Sequence, residues 1–298
     1  MVLANHQHVV VGVDGSAGAE AAALWAADIA QSSGSPLHLV CAVEESYFYM
    51  AEPAMVVSVD ILDHYRAQAH DMVEKLAARI TDKFPEAQIS KSVDTGSVAD
   101  VLVGYTHTSR MAVIGASGSG IIGSVLLGSI AQRVLENATC PVVVWREGAS
   151  AGDGPIVVGI DGSPASSVAV AEAFDMASTL GKALIAVHTW NTRTQSGGVT
   201  IPLLIDWSAV KTGEAVLLSE SLAGWSEKYP NVPVSHVVRE GNSAHALVEQ
   251  SATAQLIVVG SRGRGAVSSA LLGSTSSNLA HHAHCPVMIC RPSRSSSK

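Results

Sequence analysis

Two aspartates and two glycine-spaced stretches are the residues of this 298-residue sequence that could do chemistry. Asp14 stands in VGVDGS and Asp161 in VGIDGS, each at the end of a short apolar run. Residues 115–129 read GASGSGIIGSVLLGS and residues 260–274 read GSRGRGAVSSALLGS. Gly115, Gly118, Gly128 and Ser129 in the first stretch match Gly260, Gly263, Gly273 and Ser274 in the second. A glycine-rich turn that feeds a helix supplies unsatisfied N–H groups and a positive dipole end. Glycine also lets the backbone approach an anion closely, so the pattern points to phosphate. Ser129 and Ser274, expected at the N-caps, add hydroxyl donors; the alternative is a tight turn with ordinary capping serines. A carboxylate at a neighbouring strand end can accept from a sugar hydroxyl or an amino group, or ligate Mg²⁺. It can also cap the helix that starts at Ala17 or Pro164, and the two roles are compatible.

Two familiar phosphate motifs fail on context. Gly118, Gly120 and Gly123 formally satisfy G-x-G-x-x-G, but the run follows a fourth strand and its second copy, GRGAVS, loses the last glycine. No acidic residue follows at the next strand end, as a dinucleotide fold requires. No Gly-Lys-Ser/Thr occurs, which removes the Walker loop.

The elements that must position these residues also come twice. VVVGVDGSAGAEAAALWAADIA (9–30) resembles IVVGIDGSPASSVAVAEAFDMA (156–177), and TCPVVVWR (139–146) matches HCPVMICR (284–291). The later landmarks lie 145 residues apart and the amino-terminal one 147, so almost nothing was inserted between copies. Eight of fifteen positions agree between the glycine stretches, which makes duplication the reading. EGASAGDGP is the polar junction, giving domains at 1–146 and 155–298 with a linker at 147–154. Short β-branched runs, HVVVGV, PLHLVCAV, QISKSV, MAVIGA and PVVVWR, read as strands and alternate with helical patterns. That alternation predicts two doubly wound α/β domains, each with a parallel sheet covered on both faces. Ligands of such sheets bind at the carboxyl edge of the strands.

Composition narrows the classes. Hydrophobic residues at 47% and charged residues at 15% describe a packed globular chain. A formal charge of −8 gives no global field for nucleic acid or anionic lipid. No run reaches a membrane span, the first residues lack a signal-peptide pattern, and four cysteines in apolar runs fit a reducing cytoplasm. Cys140 and Cys285, each before a matched proline, read as small buried hydrophobes. HHAHC at 281–285 could ligate zinc, but the first copy reads ENATC and the histidines suit a helix carboxyl end. Trp190 sits where the second strand exits and could flank an adenine, and the other tryptophans read as packing residues. No nucleophile with a base emerges, so no catalytic residue and no metal site is expected.

The two G-x2-G-x9-G-S/T stretches, together with Asp14 and Asp161, resemble the nucleotide-binding branch of the universal stress proteins. The resemblance covers residues 8–146 and 155–292 and is closest to the tandem type common in actinobacteria. It implies a five-stranded parallel sheet in each domain and ATP, alone or with Mg²⁺, as ligand. In the first domain it implies contacts from Gly12, Val13, Asp14, Gly15, Ser16 and Val43. Gly115, Ala116, Gly118, Ile121, Ile122, Gly128, Ser129 and Ile130 complete that site. In the second it implies Gly159, Ile160, Asp161, Gly162, Ser163, Val187 and Thr192. Its loop contributes Gly260, Ser261, Arg262, Gly263, Arg264, Ala266 and Val267, and its helix start Gly273, Ser274, Thr275 and Ser276. Arg262 and Arg264 replace Ser117 and Ser119 of the first copy, so the second site is expected to prefer a triphosphate more strongly. The resemblance further implies pairing of the two domains through PVVVW and PVMIC, and a homodimer of intact chains. The functional expectation is an ATP-binding regulator in stress or growth adaptation. The alternatives are a slow adenine-nucleotide hydrolase or phosphotransferase, and an interaction scaffold with vestigial sites.

Overall fold

The computed structural model describes residues 8–44, 59–116, 127–146, 149, 152–190, 207–264 and 272–292. The chain divides into two compact units between Glu147 and Gly148. Unit 1 runs β1 (His8–Gly12), α1 (Ala17–Ser33), β2 (Leu37–Val43), α2 (Val59–Lys83), β3 (Ile89–Thr95), α3 (Val98–Thr106), β4 (Ser109–Gly115), α4 (Ser129–Asn137) and β5 (Val142–Trp145). Unit 2 repeats this order with β6 (Ile156–Ile160), α5 (Pro164–Leu180), β7 (Leu184–Trp190), α6 (Trp207–Ser221) and a short α7 (Trp225–Lys228). It continues through β8 (Val234–Glu240), α8 (Ser243–Ser251), β9 (Leu256–Gly260), α9 (Ser274–His282) and β10 (Val287–Cys290).

All strand pairs within each unit are parallel, in the order β3-β2-β1-β4-β5 and, for unit 2, β8-β7-β6-β9-β10. The winding reverses between β1 and β4 and again between β6 and β9. A crevice opens at the carboxyl ends of strands at such a switch point. The topology therefore puts Asp14 beside the loop after β4, and Asp161 beside the loop after β9.

Register makes the duplication quantitative. Val9 pairs with Leu37 in unit 1 and Ile156 with Leu184 in unit 2, so β2 and β7 superpose residue for residue. The inner strands are continuously buried: Val9, Val11, Ile156, Val157 and Val158 expose nothing. Alanines at 22, 23, 26, 27 and 30 let α1 lie close on the sheet, and Ala169, Ala173 and Ala177 do the same for α5. Burial of Ile29 and Phe174 contributes about 1.5–3 kcal/mol each. Phe174 also stacks on Trp225 and Tyr229 at 5.5 and 5.7 Å between ring centres, and Trp25 packs against Trp145 at 5.9 Å.

The outer strands depart from the uniform apolar pattern. In β3 Ser90, Lys91 and Thr95 are exposed, and in β8 Ser235, His236, Arg239 and Glu240, because an edge strand meets solvent and polar residues there discourage edge pairing. All four cysteines are free and buried. No helix among the described residues is long and apolar enough to cross a membrane.

Candidate functional site

The strand-to-helix turns are built alike in the two units. Each needs positive φ at one residue, and Gly15 (φ 79°) and Gly162 (φ 74°) supply it without the Cβ penalty. Asp14 Oδ1 accepts from the Ser16 N–H at 3.0 Å, and Asp161 Oδ1 from the Ser163 N–H at 2.9 Å. Ser16 and Ser163 then cap α1 and α5, accepting from the N–H groups of Ala19 and Ser166 at 3.1 and 3.2 Å. The aspartates fix the turn and the serines cap the helix.

The second half of each site begins at the glycine loop. Ser261 N–H donates to the Cys290 carbonyl at 2.7 Å, and Gly273 N–H to the Ser261 carbonyl at 2.8 Å. Unit 1 repeats the pair at 2.7 and 2.8 Å with Ala116, Trp145 and Gly128. Both loops are thus pinned at their roots, and the returning chain enters α4 or α9 directly. Ser129 and Ser274 were expected as N-caps, but the caps are Gly128 and Gly273, and the serines are the first helical residues. The reason is the closure just described: the glycine holding that backbone bond already has the extended cap conformation. A glycine cap carries no side-chain acceptor, so no side chain caps either helix. The first amides of α4 and α9 are left for another acceptor.

In unit 2 these parts enclose a cavity of about 500 Å³. Its floor is the switch point, with Gly159 and Ile160 from β6, Asp161 just after it, and Val259 and Gly260 from β9. One end carries Arg262, Gly263, Leu272, Gly273 and the start of α9 at Ser274, Thr275 and Ser276. The other end carries Val187 and Thr189 from β7 and Ser243 and Leu247 from α8. Asp161 joins the halves: its Oδ2 accepts from the Arg264 N–H at 3.2 Å, across the crevice. Ser163 Oγ likewise donates to the Arg262 carbonyl at 3.3 Å. Glycine is required at the contact, since a Cβ at 263 would lie 2.5 Å from Asp161 Oδ2. A Cβ at 260 would lie 2.8 Å from backbone and side-chain carbons of Ala165.

Most of the expected residues of unit 2 meet here, and the rest have other places. Gly162, Ser163 and Ser261 support the wall from behind; Ser261 is fully buried. The Arg264 guanidinium reaches over the turn, with one nitrogen 2.8 Å from where a Cβ on Gly162 would stand. Ser276 Oγ donates to the carbonyls of Ser261 and Gly273 at 3.1 and 3.0 Å, bracing the helix start. Thr192, Ala266 and Val267 lie outside the described residues. Trp190 ends β7, and its carbonyl accepts from the Gly241 N–H at 2.9 Å, as that of Val43 accepts from Gly96 at 3.0 Å. Ser166, Thr189, Ser243, Leu247, Val259 and Leu272 line the cavity without having been expected. Thr189 had a readable signal, because it lies two residues beyond Val187 on the same strand face. It is bonded to Ser243 through their hydroxyls at 2.5 Å.

In unit 1 the described residues give the same framework with a different lining. Asp14 and Gly15 are exposed, Val13 is buried, and Ile130 is 41% exposed where unit 2 has Thr275. Gly118, Ile121 and Ile122 lie outside the described residues. A separate hollow of about 380 Å³ lies on the β1–α1 turn and one side of α2, lined in part by Ser16, Met72, Lys75 and Arg79. Burial, and secondly the Asp14 carboxylate, push the Cys41 thiol up from its ordinary pKa. Among the described residues no cluster of three or more His, Cys, Asp or Glu could hold a metal ion.

Comparison with known proteins agrees with this architecture. The model of the Universal stress protein family matches residues 5–146 and again 154–291. The chain is similar to the Mycobacterium tuberculosis universal stress protein Rv2005c, 40% identical over 295 residues, covering 96% of this chain and 98% of that protein. It is also similar to Rv2623 of the same organism (36%, covering 96% of each) and to a Mycolicibacterium smegmatis universal stress protein (37%, covering 97% and 98%). A solved universal stress protein from Archaeoglobus fulgidus shares the fold over 96% of this chain and 98% of its own, at 18% identity and a TM-score of 0.68. Two matched repeats over nearly the whole chain settle its membership: it belongs to the universal stress protein family.

Proposed function

We propose that the chain is an ATP-binding regulator of stress or growth adaptation, with its better-equipped nucleotide site in unit 2. The observation that carries this reading is the cavity at the β6–β9 switch point. It combines uncapped amides of α9, Arg262 at the same end, and the Asp161 carboxylate between that end and the β7–α8 end. A volume of about 500 Å³ lies within the roughly 300–1,000 Å³ typical of small-molecule sites. The phosphates belong at Arg262, Gly263 and the start of α9, where the dipole and amides favour an anion. The nucleoside then extends past Asp161 toward Val187 and Thr189. Mg²⁺ bound with the triphosphate would take most ligands from phosphate and water, since Asp161 is the only carboxylate lining the cavity among the described residues.

Binding is favoured over dedicated turnover by one feature. Both Asp161 oxygens accept backbone N–H groups, so this carboxylate is committed to holding the turn. The enzyme alternative remains a slow hydrolase or phosphotransferase, and the scaffold alternative has no ligand at all. Denaturing the purified protein and identifying released nucleotide by mass spectrometry tests the reading, together with product formation under excess ATP. Bound or saturable ATP with negligible product supports it. Steady turnover favours the enzyme, and failure of ATP to bind at any concentration leaves the scaffold. The family resemblance also supports a homodimer, which light scattering on the intact chain checks.

A further inference from the structure

His188 and Glu214 form a buried pair that the ligand site does not use directly. His188 lies on β7 between Val187 and Thr189, so its side chain leaves the sheet on the face opposite the cavity. It is 3% exposed, and its Nε2 lies 2.5 Å from Oε2 of Glu214 on α6, whose side chain is 9% exposed. Its Nδ1 lies 2.7 Å from the carbonyl oxygen of Ile160. A carbonyl only accepts, so Nδ1 carries a proton and donates. One further proton is shared between Nε2 and the carboxyl, which makes the pair neutral overall whichever partner holds it.

A pair of this kind is poor evidence for stability, because apolar residues of similar volume often serve as well. Its geometry suggests another purpose. Ile160 is the residue before Asp161 and is itself on the cavity floor. The chain of contacts therefore runs from α6 through Glu214 and His188 to the strand end that sets the ligand-facing carboxylate. The matching strand position in unit 1, by register, is Cys41, which offers no such reach.

We propose that His188 and Glu214 are a positioning pair for the unit 2 site, holding the Ile160 carbonyl, and with it the Asp161 turn, against α6. Its consequence for affinity rests on the nucleotide reading above, but the positioning itself does not. Hydrogen exchange read by mass spectrometry on the full chain, with and without ATP, separates the two. The variants are Glu214→Gln, which can still donate to Nε2, and the double replacement His188→Leu/Glu214→Leu, which keeps the core filled. The double variant should exchange faster across residues 160–166 without ATP, with residues 13–19 unchanged. It should also need about tenfold more ATP to protect the start of α9. Glu214→Gln should behave as the parent in both respects. A folded double variant with parental exchange and parental ATP protection overturns the proposal, as does a Glu214→Gln variant as impaired as the double one. If ATP protects nothing in the parent while exchange at 160–166 still rises in the double variant, positioning stands and the nucleotide reading falls.

Discussion

Gly263→Ala is the sharpest perturbation of the unit 2 site. The added methyl would stand 2.5 Å from Asp161 Oδ2, nearly an ångström inside van der Waals contact. No positive φ is involved at this residue, so the effect comes from that contact alone. Either the loop lifts or the carboxylate turns, and both break the Arg264 N–H bond to Oδ2 at 3.2 Å. A hydrogen bond to a charged group is worth about 1.5–3 kcal/mol, and Asp161 is half-buried, so the lower end applies. Folding should lose about 1 kcal/mol, because the site borders solvent, which lowers Tm by roughly 2–4 °C. Displacing Asp161 and the loop together should weaken ATP at this site by about 1.5–2 kcal/mol, or roughly 10- to 30-fold. Isothermal calorimetry on Gly263→Ala, Asp161→Ala and the double variant checks the route. The double variant should bind no worse than Asp161→Ala alone, since both changes remove one interaction. A folded Gly263→Ala protein with parental affinity, or fully additive losses, would refute the reasoning.

Three other outcomes follow from the same geometry. Arg262→Ser should weaken ATP at the unit 2 site by about 1–3 kcal/mol and AMP much less, whereas Arg264→Ser, whose side chain lies over the turn, should change the ATP-to-AMP ratio little; competition binding of the two nucleotides reads this. Gly260→Ala drives its Cβ to 2.8 Å from Ala165 and should cost about 1–3 kcal/mol of stability by overpacking, visible as a lowered melting transition. Burial pushes the Cys285 thiol up to about 12, so at pH 8 it stays a protonated, unreactive thiol; iodoacetamide should leave it unmodified in native protein and label it after denaturation, and native labelling would contradict the burial.

Periodicity and repetition make the framework legible in the sequence. The doubled spacing of Gly115, Gly118, Gly128 and Gly260, Gly263, Gly273 located both loops, and the apolar runs located the strands. What escaped is what depends on tertiary neighbours. Leu247 and Ser243 reach the cavity only because α8 packs beside α9 on one face of the sheet. Glycine rather than serine caps α9 because Gly273 closes the loop with a backbone bond, which composition does not reveal. Gly263 invited an argument from φ, yet its constraint is a carboxylate contributed from 102 residues earlier, at Asp161. The polar edges of β3 and β8 followed from strand order, which alternation alone left open.

The most direct test of the central claim is a crystal structure of the intact protein grown with saturating ATP. The account predicts a nucleotide in the unit 2 cavity, phosphate oxygens within hydrogen-bond distance of the Ser274–Ser276 amides, and Asp161 against the nucleoside. ATP bound elsewhere with that cavity empty, or phosphates placed at the β7–α8 end, would contradict it.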